Sequence, residues 1–201
     1  MQIPWQSAKF VRSCTFSETY PALYHSTGQP ITQVAVAGKS NVGKSSLLNE
    51  LFQVKGLVKT SSTPGKTQLI NFFSVGDLLL FVDLPGYGFA QVPNAIKKQW
   101  GPMLQQYFET AKGLKLLLLL LDIRRIPNEE DLKLIEWAEY QNVPLQIVFS
   151  KADTITQKER ALQEKKILEA LALDNISYLH HSSKTHLGSL ELRKIIKEMV
   201  E

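Results

Sequence analysis

From residue 33 onward, short apolar runs alternate with longer stretches in which apolar residues recur at helical spacing. The runs Gln33–Ala37, Leu69–Val75, Leu78–Val82, Lys115–Leu121, Leu145–Phe149 and Ile176–Leu179 read as six strands. The stretches Gly43–Phe52, Asn94–Thr110, Asn128–Tyr140, Gln157–Ala172 and Ser189–Val200 read as helices. This order predicts an α/β fold of three layers: a six-stranded, mostly parallel sheet flanked by about five helices. Gly76-Asp77 reads as a two-residue hairpin turn between the second and third runs, so one antiparallel strand is expected. Asn128 and Asp131, followed by Leu132, Ile135 and Trp137, read as the capped start of an amphipathic helix just after Pro127. Residues 1–32 have no clear period and are expected to form an N-terminal extension packed on a single domain spanning 33–201. No repeat, linker or low-complexity segment marks a second domain.

The first chemical signal lies where the first strand meets the first helix. Gly38-Lys39-Ser40-Asn41-Val42-Gly43-Lys44-Ser45 fits the phosphate-loop pattern G-x-x-x-x-G-K-[ST]. Glycines there let the backbone fold around phosphates, and successive N–H groups at the helix N-terminus point at negative charge. Lys44 then reaches the β- and γ-phosphates and the Ser45 hydroxyl ligates Mg²⁺, with Ser46 next to it among the nucleotide contacts. This loop alone does not choose between ATPases, kinases and GTPases.

Three later stretches choose guanine. Asp83-Leu84-Pro85-Gly86 ends the third strand, 38 residues after Ser45, in the form D-x-x-G. Asp83 can hold Mg²⁺ through water, and the Gly86 N–H can sense the γ-phosphate. Ser150-Lys151-Ala152-Asp153 follows the fifth strand and resembles the N/T-K-x-D element of GTPases. A carboxylate at Asp153 accepts hydrogen bonds from the guanine N1–H and exocyclic amino group, which adenine lacks, and the Lys151 stem can lie over the base. His181-Ser182-Ser183-Lys184 follows the last strand and resembles the S-A-K element, whose backbone contacts the guanine oxygen. An ordinary polar turn would look similar at any one of these places; their order along the chain carries the reading. Between the first helix and second strand, the hydroxyl-rich segment 61–67 lies where a first switch belongs. Thr67 is the first choice for a Mg²⁺-ligating switch threonine and Thr63 the second; Gly65, Lys66, Gln68 and Leu69 complete the expected contacts.

With these residues in hand, the chain resembles the EngB/YsxC (YihA) family of bacterial GTPases. The resemblance rests on G-K-S-N-V-G-K-S-S-L-L-N from Gly38, T-P-G-K-T-Q-L-I-N-F-F from Thr63, D-L-P-G-Y-G-F-A from Asp83 and D-I-R-R-I-P from Asp122. It implies a P-loop GTPase (G-domain) fold, GTP hydrolysis to GDP and phosphate with Mg²⁺, and support for Thr67 as the switch ligand. It also implies a role in assembly of the large ribosomal subunit, with rRNA and ribosomal proteins as partners, and in normal cell division and septation. Lys39 stands where the family usually has Arg, Ser150 where it has Thr, and Arg125 where His is common. Tyr87 occupies the place where Ras-like enzymes put a water-orienting Gln, so slow intrinsic hydrolysis stimulated by a partner is expected. Asn41 holds the position that helps bind K⁺ in related potassium-activated GTPases; the alternative, a good turn former, stays open. Lys44, Thr67, Gly86 and Asn41 are thus the candidate catalytic residues.

Composition narrows the setting. At 201 residues, with 44% hydrophobic and 21% charged, there is enough apolar material for one buried core. The run Leu116–Leu121 is too short to cross a bilayer, and the start of the chain lacks a signal-peptide layout, so a cytoplasmic protein without membrane contact is expected. The single cysteine, Cys14, excludes an intrachain disulfide or a cysteine-rich metal site. A net charge of +4 favours polyanionic partners; Lys59, Lys66, Lys97 and Lys98 are candidates for rRNA-facing charge, while most basic pairs read first as ordinary solvated faces. No heptads are visible, which points to a monomer. The competing readings are a GTPase with a non-ribosomal client and a nucleotide-gated binding module with incidental hydrolysis. A kinase or ATPase would leave Asp153 without a purpose.

Overall fold

The computed structural model describes residues 2–15, 17–59, 69–88, 94–172 and 176–201, with backbone only for 94–100. The strands are β1 (Lys9–Cys14), β2 (Thr32–Gly38), β3 (Ile70–Val75), β4 (Leu79–Asp83), β5 (Leu114–Asp122), β6 (Leu145–Ser150) and β7 (Ser177–His180). The helices are α1 (Lys44–Phe52), α2 (Asn94–Thr110), α3 (Glu129–Tyr140), α4 (Gln157–Leu171) and α5 (Ser189–Val200). The strands form one sheet in the order β1-β3-β4-β2-β5-β6-β7. β3 runs antiparallel to both of its neighbours, and the pairings of β2, β4, β5, β6 and β7 are parallel.

The apolar run in β5 explains the three layers. Leu116, Leu118 and Leu120 pack with Leu47, Leu51 and Phe52 of α1 and with Leu192 and Ile196 of α5. Leu117, Leu119 and Leu121 pack on the other face with Leu104 and Tyr107 of α2, Leu134 and Ile135 of α3, and Ile167 of α4. All six leucines are buried, as a parallel strand covered on both faces requires. Each contributes about 1.5–3 kcal/mol of burial, so the centre of the sheet is the most strongly specified part of the fold.

Two local readings change. The segment treated as an unperiodic extension supplies β1, a seventh strand along β3, with Phe10 edge-on to Phe73 at 5.7 Å. Its register slips between Phe10 and Arg12, and Phe10 and Val11 are both exposed, which erases the alternation that marks a half-buried strand. The hairpin between β3 and β4 uses three residues rather than two, because Val75 pairs with Leu79. Gly76 takes φ +56 there, and its N–H donates to Ser7 Oγ at 2.8 Å, tying the N-terminal segment to the turn.

Helix starts follow local chemistry. Asn128 caps α3: its side chain accepts from the Asp131 N–H while the Asp131 carboxylate accepts from the Asn128 N–H. Thr156 and Glu159 repeat the arrangement on α4.

Candidate functional site

The chemistry-bearing residues gather at the carboxyl ends of the parallel strands, where open α/β sheets place their ligand crevices. Gly38 ends β2, Asp83 ends β4, Asp122 ends β5, Ser150 ends β6 and His181 follows β7. Beside them runs a cleft of about 1180 Å³, lined by residues that include Val42, Gly43, Ser46, Lys151, Asp153 and Ser183.

The phosphate-loop segment bends because its glycines permit it. Gly38 has φ +145, and a β-carbon there would lie 2.6 Å from the Leu120 carbonyl oxygen, closer than such atoms approach. Gly43, at φ +116, caps α1. Asn41 is also left-handed at φ +61, a conformation asparagine tolerates better than most residues. Lys44 is buried, and its ammonium donates to the Gly38 carbonyl at 3.1 Å. Burial lowers the Lys44 pKa below the usual lysine value, with the nearby Asp83 charge opposing the shift. Ser45 lies one residue further along α1, half-buried, with Ser46 exposed beside it.

Asp83 is 2% exposed, and its Oδ1 has no hydrogen-bond partner among the described residues. Burial raises its pKa, against the Lys44 charge and a hydrogen bond from Asn71. A buried carboxylate oxygen without a partner among the described residues, close to the phosphate-loop Lys44, suits a hard divalent cation with oxygen ligands, so the residues present fit Mg²⁺. After Asp83 the Leu84 side chain enters the core, while its N–H donates to the Val36 carbonyl at 2.9 Å. Pro85 leads to Gly86, where a β-carbon would sit 2.7 Å from Ser40 Oγ and 3.0 Å from Lys44 Nζ. The stretch after Asp83 therefore lies flat against the phosphate loop. Tyr87 continues it, its carbonyl accepting from the Ser40 N–H at 2.9 Å.

On the other flank, the segment after β6 is fastened to the phosphate loop. Ser150 Oγ donates to the Val42 carbonyl at 2.8 Å, and Lys151 Nζ donates to the Asn41 carbonyl at 2.6 Å. Lys151 also lies 3.1 Å from Asp122, whose carboxylate accepts two hydrogen bonds from the Arg124 guanidinium at 2.8 and 2.6 Å and one from its backbone N–H at 3.2 Å. Ala152 is buried, its N–H donating to the His181 carbonyl at 3.1 Å. Asp153 accepts from Ser182 Oγ at 2.7 Å, which holds its carboxyl below the usual aspartate value. Ser183 lines the cleft next to it. His181 Nε2 lies 2.9 Å from Glu50 of α1, joining the loop after β7 to the helix that begins at the phosphate loop.

The structure thus brings together Gly38 to Ser46, Asp83 to Gly86, Ser150 to Asp153 and His181 to Ser183. Leu69 precedes β3 and is 37% exposed; Thr63, Gly65, Lys66, Thr67 and Gln68 lie outside the described residues, as do the side chains of Lys97 and Lys98. Asp122, Glu50 and Asp131 escaped the sequence reading as parts of the site. Asp122 had a signal: like Asp83, it is an acid closing an apolar strand on the same sheet edge. Glu50 and Asp131 had none, because charged residues on helices usually face solvent.

Comparison with known proteins agrees with this geometry. The family model described as "50S ribosome-binding GTPase" matches residues 33–151. A probable GTP-binding protein EngB of Protochlamydia amoebophila (strain UWE25) is 50% identical over 191 residues, covering 95% of this chain and 93% of the relative. Among solved structures, a probable GTP-binding protein EngB superposes with TM-score 0.69 at 20% identity, covering 84% of this chain and 98% of the other. Era in complex with MgGDPNP and nucleotides 1506–1542 of 16S ribosomal RNA superposes with TM-score 0.62 at 21% identity, covering 84% and 56%. At half identity over nearly its whole length with one such relative, and with the phosphate loop and the Ser150–Asp153 segment at the sheet edge where the fold demands them, the chain belongs to the EngB family of P-loop GTPases, enzymes that bind and hydrolyse GTP.

Proposed function

We propose that this GTPase is a cytoplasmic, monomeric switch in assembly of the large ribosomal subunit, binding the precursor particle in one nucleotide state and leaving it in the other. The observation that carries this reading is the match of residues 33–151 to a family described as 50S ribosome-binding. The net charge of +4 supports an RNA-rich partner. A role in cell division and septation follows as a consequence of failed ribosome supply.

In this reading Lys44 holds the β- and γ-phosphates, and the bound phosphates restore the charge that burial disfavours. Ser45, Thr67 and, through water, Asp83 would hold Mg²⁺, which supplies charge neutralisation on the phosphates. The N–H groups of 38–46 cradle the phosphates, and Gly86 donates its N–H to the γ-phosphate. Water attacks the γ-phosphorus and the bond to the bridging oxygen breaks. The electron pair leaves on GDP and the water proton goes to the released phosphate. Ser150, Lys151, Ala152 and Asp153 with His181, Ser182 and Ser183 enclose the guanine, Asp153 accepting from its N1–H and amino group. The Tyr87 phenol is bonded to Asp131 and is not placed to orient water, so intrinsic hydrolysis is slow and the ribosomal particle stimulates it. The exposed Asn41 side chain offers an oxygen for K⁺ at the loop crest; faster turnover in KCl than in NaCl at equal ionic strength is the expected sign.

Gradient sedimentation of the purified protein with large-subunit precursors tests the proposal. Co-sedimentation with a non-hydrolysable GTP analogue, weaker with GDP and absent with small subunits, is expected. Equal binding in both nucleotide states, or to neither subunit, would remove the switch role.

A further inference from the structure

We propose that Asp131 is a positioning residue for GTP hydrolysis, acting through Tyr87 to hold Gly86 against the phosphate loop and carrying the nucleotide state to the N-terminus of α3. The proposal rests on the reading of Gly86 as the γ-phosphate sensor.

Tyr87 is held at both ends. Its backbone forms a parallel bridge with Lys39 and accepts from the Ser40 N–H, which fixes the peptide beside Gly86 on the flank of the loop. Its ring is 4% exposed within the core, and its hydroxyl donates to Asp131 Oδ1 at 2.5 Å. Burial together with the Asp131 charge pushes the phenol far above its ordinary pKa, so it remains the donor at every working pH.

Asp131 joins three parts of the molecule with one carboxylate. Oδ1 receives the Tyr87 hydroxyl, and Oδ2 receives the Asn128 N–H at 2.8 Å in the α3 cap. Oδ2 also lies 3.8 Å from Lys39 Nζ, a phosphate-loop side chain. An acid in a capping box needs no burial to do its work, yet this one is 2% exposed. Burying a carboxylate is costly unless it is paired, so the arrangement selects one position for the chain after Gly86. Gly88 closes the contact: a β-carbon there would lie 3.3 Å from Glu130 Oε2 and 3.3 Å from Lys39 Cγ. Movement of Gly86 would therefore be passed to Tyr87 and to the first turn of α3. Arg125 and the 48% exposed Ile126, just ahead of that turn, are positioned to present the change to a partner.

The plainer account is a core tyrosine with a satisfied hydroxyl. Tyr107 provides that control, since its hydroxyl donates to buried Gln33 Oε1 at 3.0 Å in the core, outside the loop contacts. The experiment compares the parent with Tyr87→Phe, Asp131→Asn, their double variant, Tyr107→Phe and Gly86→Ala. It measures affinity for GDP and a non-hydrolysable GTP analogue, single-turnover hydrolysis and Tm. Tyr87→Phe and Asp131→Asn are expected to cut the preference for the GTP analogue over GDP, and the hydrolysis rate, at least fivefold, with GDP affinity within twofold of the parent. The double variant should be no worse than the worse single. Tyr107→Phe should lower Tm alone. If Gly86→Ala abolishes the preference while Tyr87→Phe and Asp131→Asn change only Tm, the link through Asp131 is wrong and the sensor reading stands; if Gly86→Ala leaves the preference intact, the sensor reading fails and takes the link with it. Hydrogen exchange on the unaltered protein guards against variants that do not fold: amides of 128–132 should differ in protection between GDP and GTP-analogue states, and identical protection would overturn the proposal.

Discussion

Ser150 tests whether the guanine side of the site is built onto the phosphate loop. Its hydroxyl donates to the Val42 carbonyl at 2.8 Å and lies 3.3 Å from the Leu121 carbonyl, with the residue 4% exposed. Ser150→Ala removes that donor and leaves a carbonyl of buried Val42 without it, a loss of about 1–3 kcal/mol. For a domain of this size a 2 kcal/mol loss lowers Tm by roughly 6 °C. The bond joins protein to protein, so its loss falls mainly on folding stability, and GDP affinity should fall only a few-fold. Ser150→Thr keeps the hydroxyl on a β-branched side chain suited to a strand end and should stay close to the parent. Thermal unfolding of nucleotide-stripped protein, followed by titration with fluorescent GDP, measures both effects. A Tm within 1 °C of the parent for Ser150→Ala, or equal damage from Thr, would refute the claim that this hydroxyl ties the two loops.

Other perturbations follow from the same geometry. Gly38→Ala forces a β-carbon to 2.6 Å from the Leu120 carbonyl at φ +145, so a stability loss of about 2 kcal/mol or more and loss of GDP binding are expected by unfolding and titration. Asp153→Asn should weaken GDP binding on the order of tenfold to a hundredfold while leaving an ATP analogue no weaker, in competition titrations. Burial pushes the Asp122 carboxyl up, but hydrogen bonds from Arg124 and Lys151 together hold it well below the usual aspartate value. A depressed carboxylate stabilises above its unfolded pKa, about 3.9, and loses that contribution as pH falls through the lower folded value. Asp122→Asn should therefore flatten part of the acid limb of stability below about pH 4, while between pH 5 and 8 this group gives no pH dependence; an unchanged acid limb in urea unfolding would contradict the assignment.

The parts of the fold that could be read from the sequence are those where burial repeats. β5 announces itself because both faces of the strand are covered and the run Leu116–Leu121 is wholly apolar, and α3 because its cap and its apolar stripe agree. β1 stayed hidden because an edge strand with exposed Phe10 and Val11 and a slipped register has no alternation to detect. The phosphate loop was legible because its chemistry demands fixed residues at fixed spacing beside a strand and a helix. What the motif cannot carry is the set of contacts that hold it. Asp131 is 92 positions after Lys39 in the chain, and Glu50 meets His181 across 131, so only the folded sheet brings either pair together.

Those long-range contacts divide the site in two. On the guanine side the protein bonds to itself: Ser150 to Val42, Lys151 to Asn41 and Asp122, Ser182 to Asp153, and His181 to Glu50 on the helix that begins at the phosphate loop. These bonds fix the proposed recognition half through contacts within the protein itself. On the γ-phosphate side the groups are buried and under-partnered: Asp83 Oδ1 and Ser40 Oγ have no hydrogen bond among the described residues, and Lys44 is held in a setting that disfavours its charge. A buried polar group left without a partner costs about 1–3 kcal/mol. A triphosphate with its cation can relieve that cost at the loop where Gly86 and Tyr87 lie. In the proposed function the recognition half would then bind GDP and GTP alike, and discrimination between them would rest on the loop where the chain leads to α3.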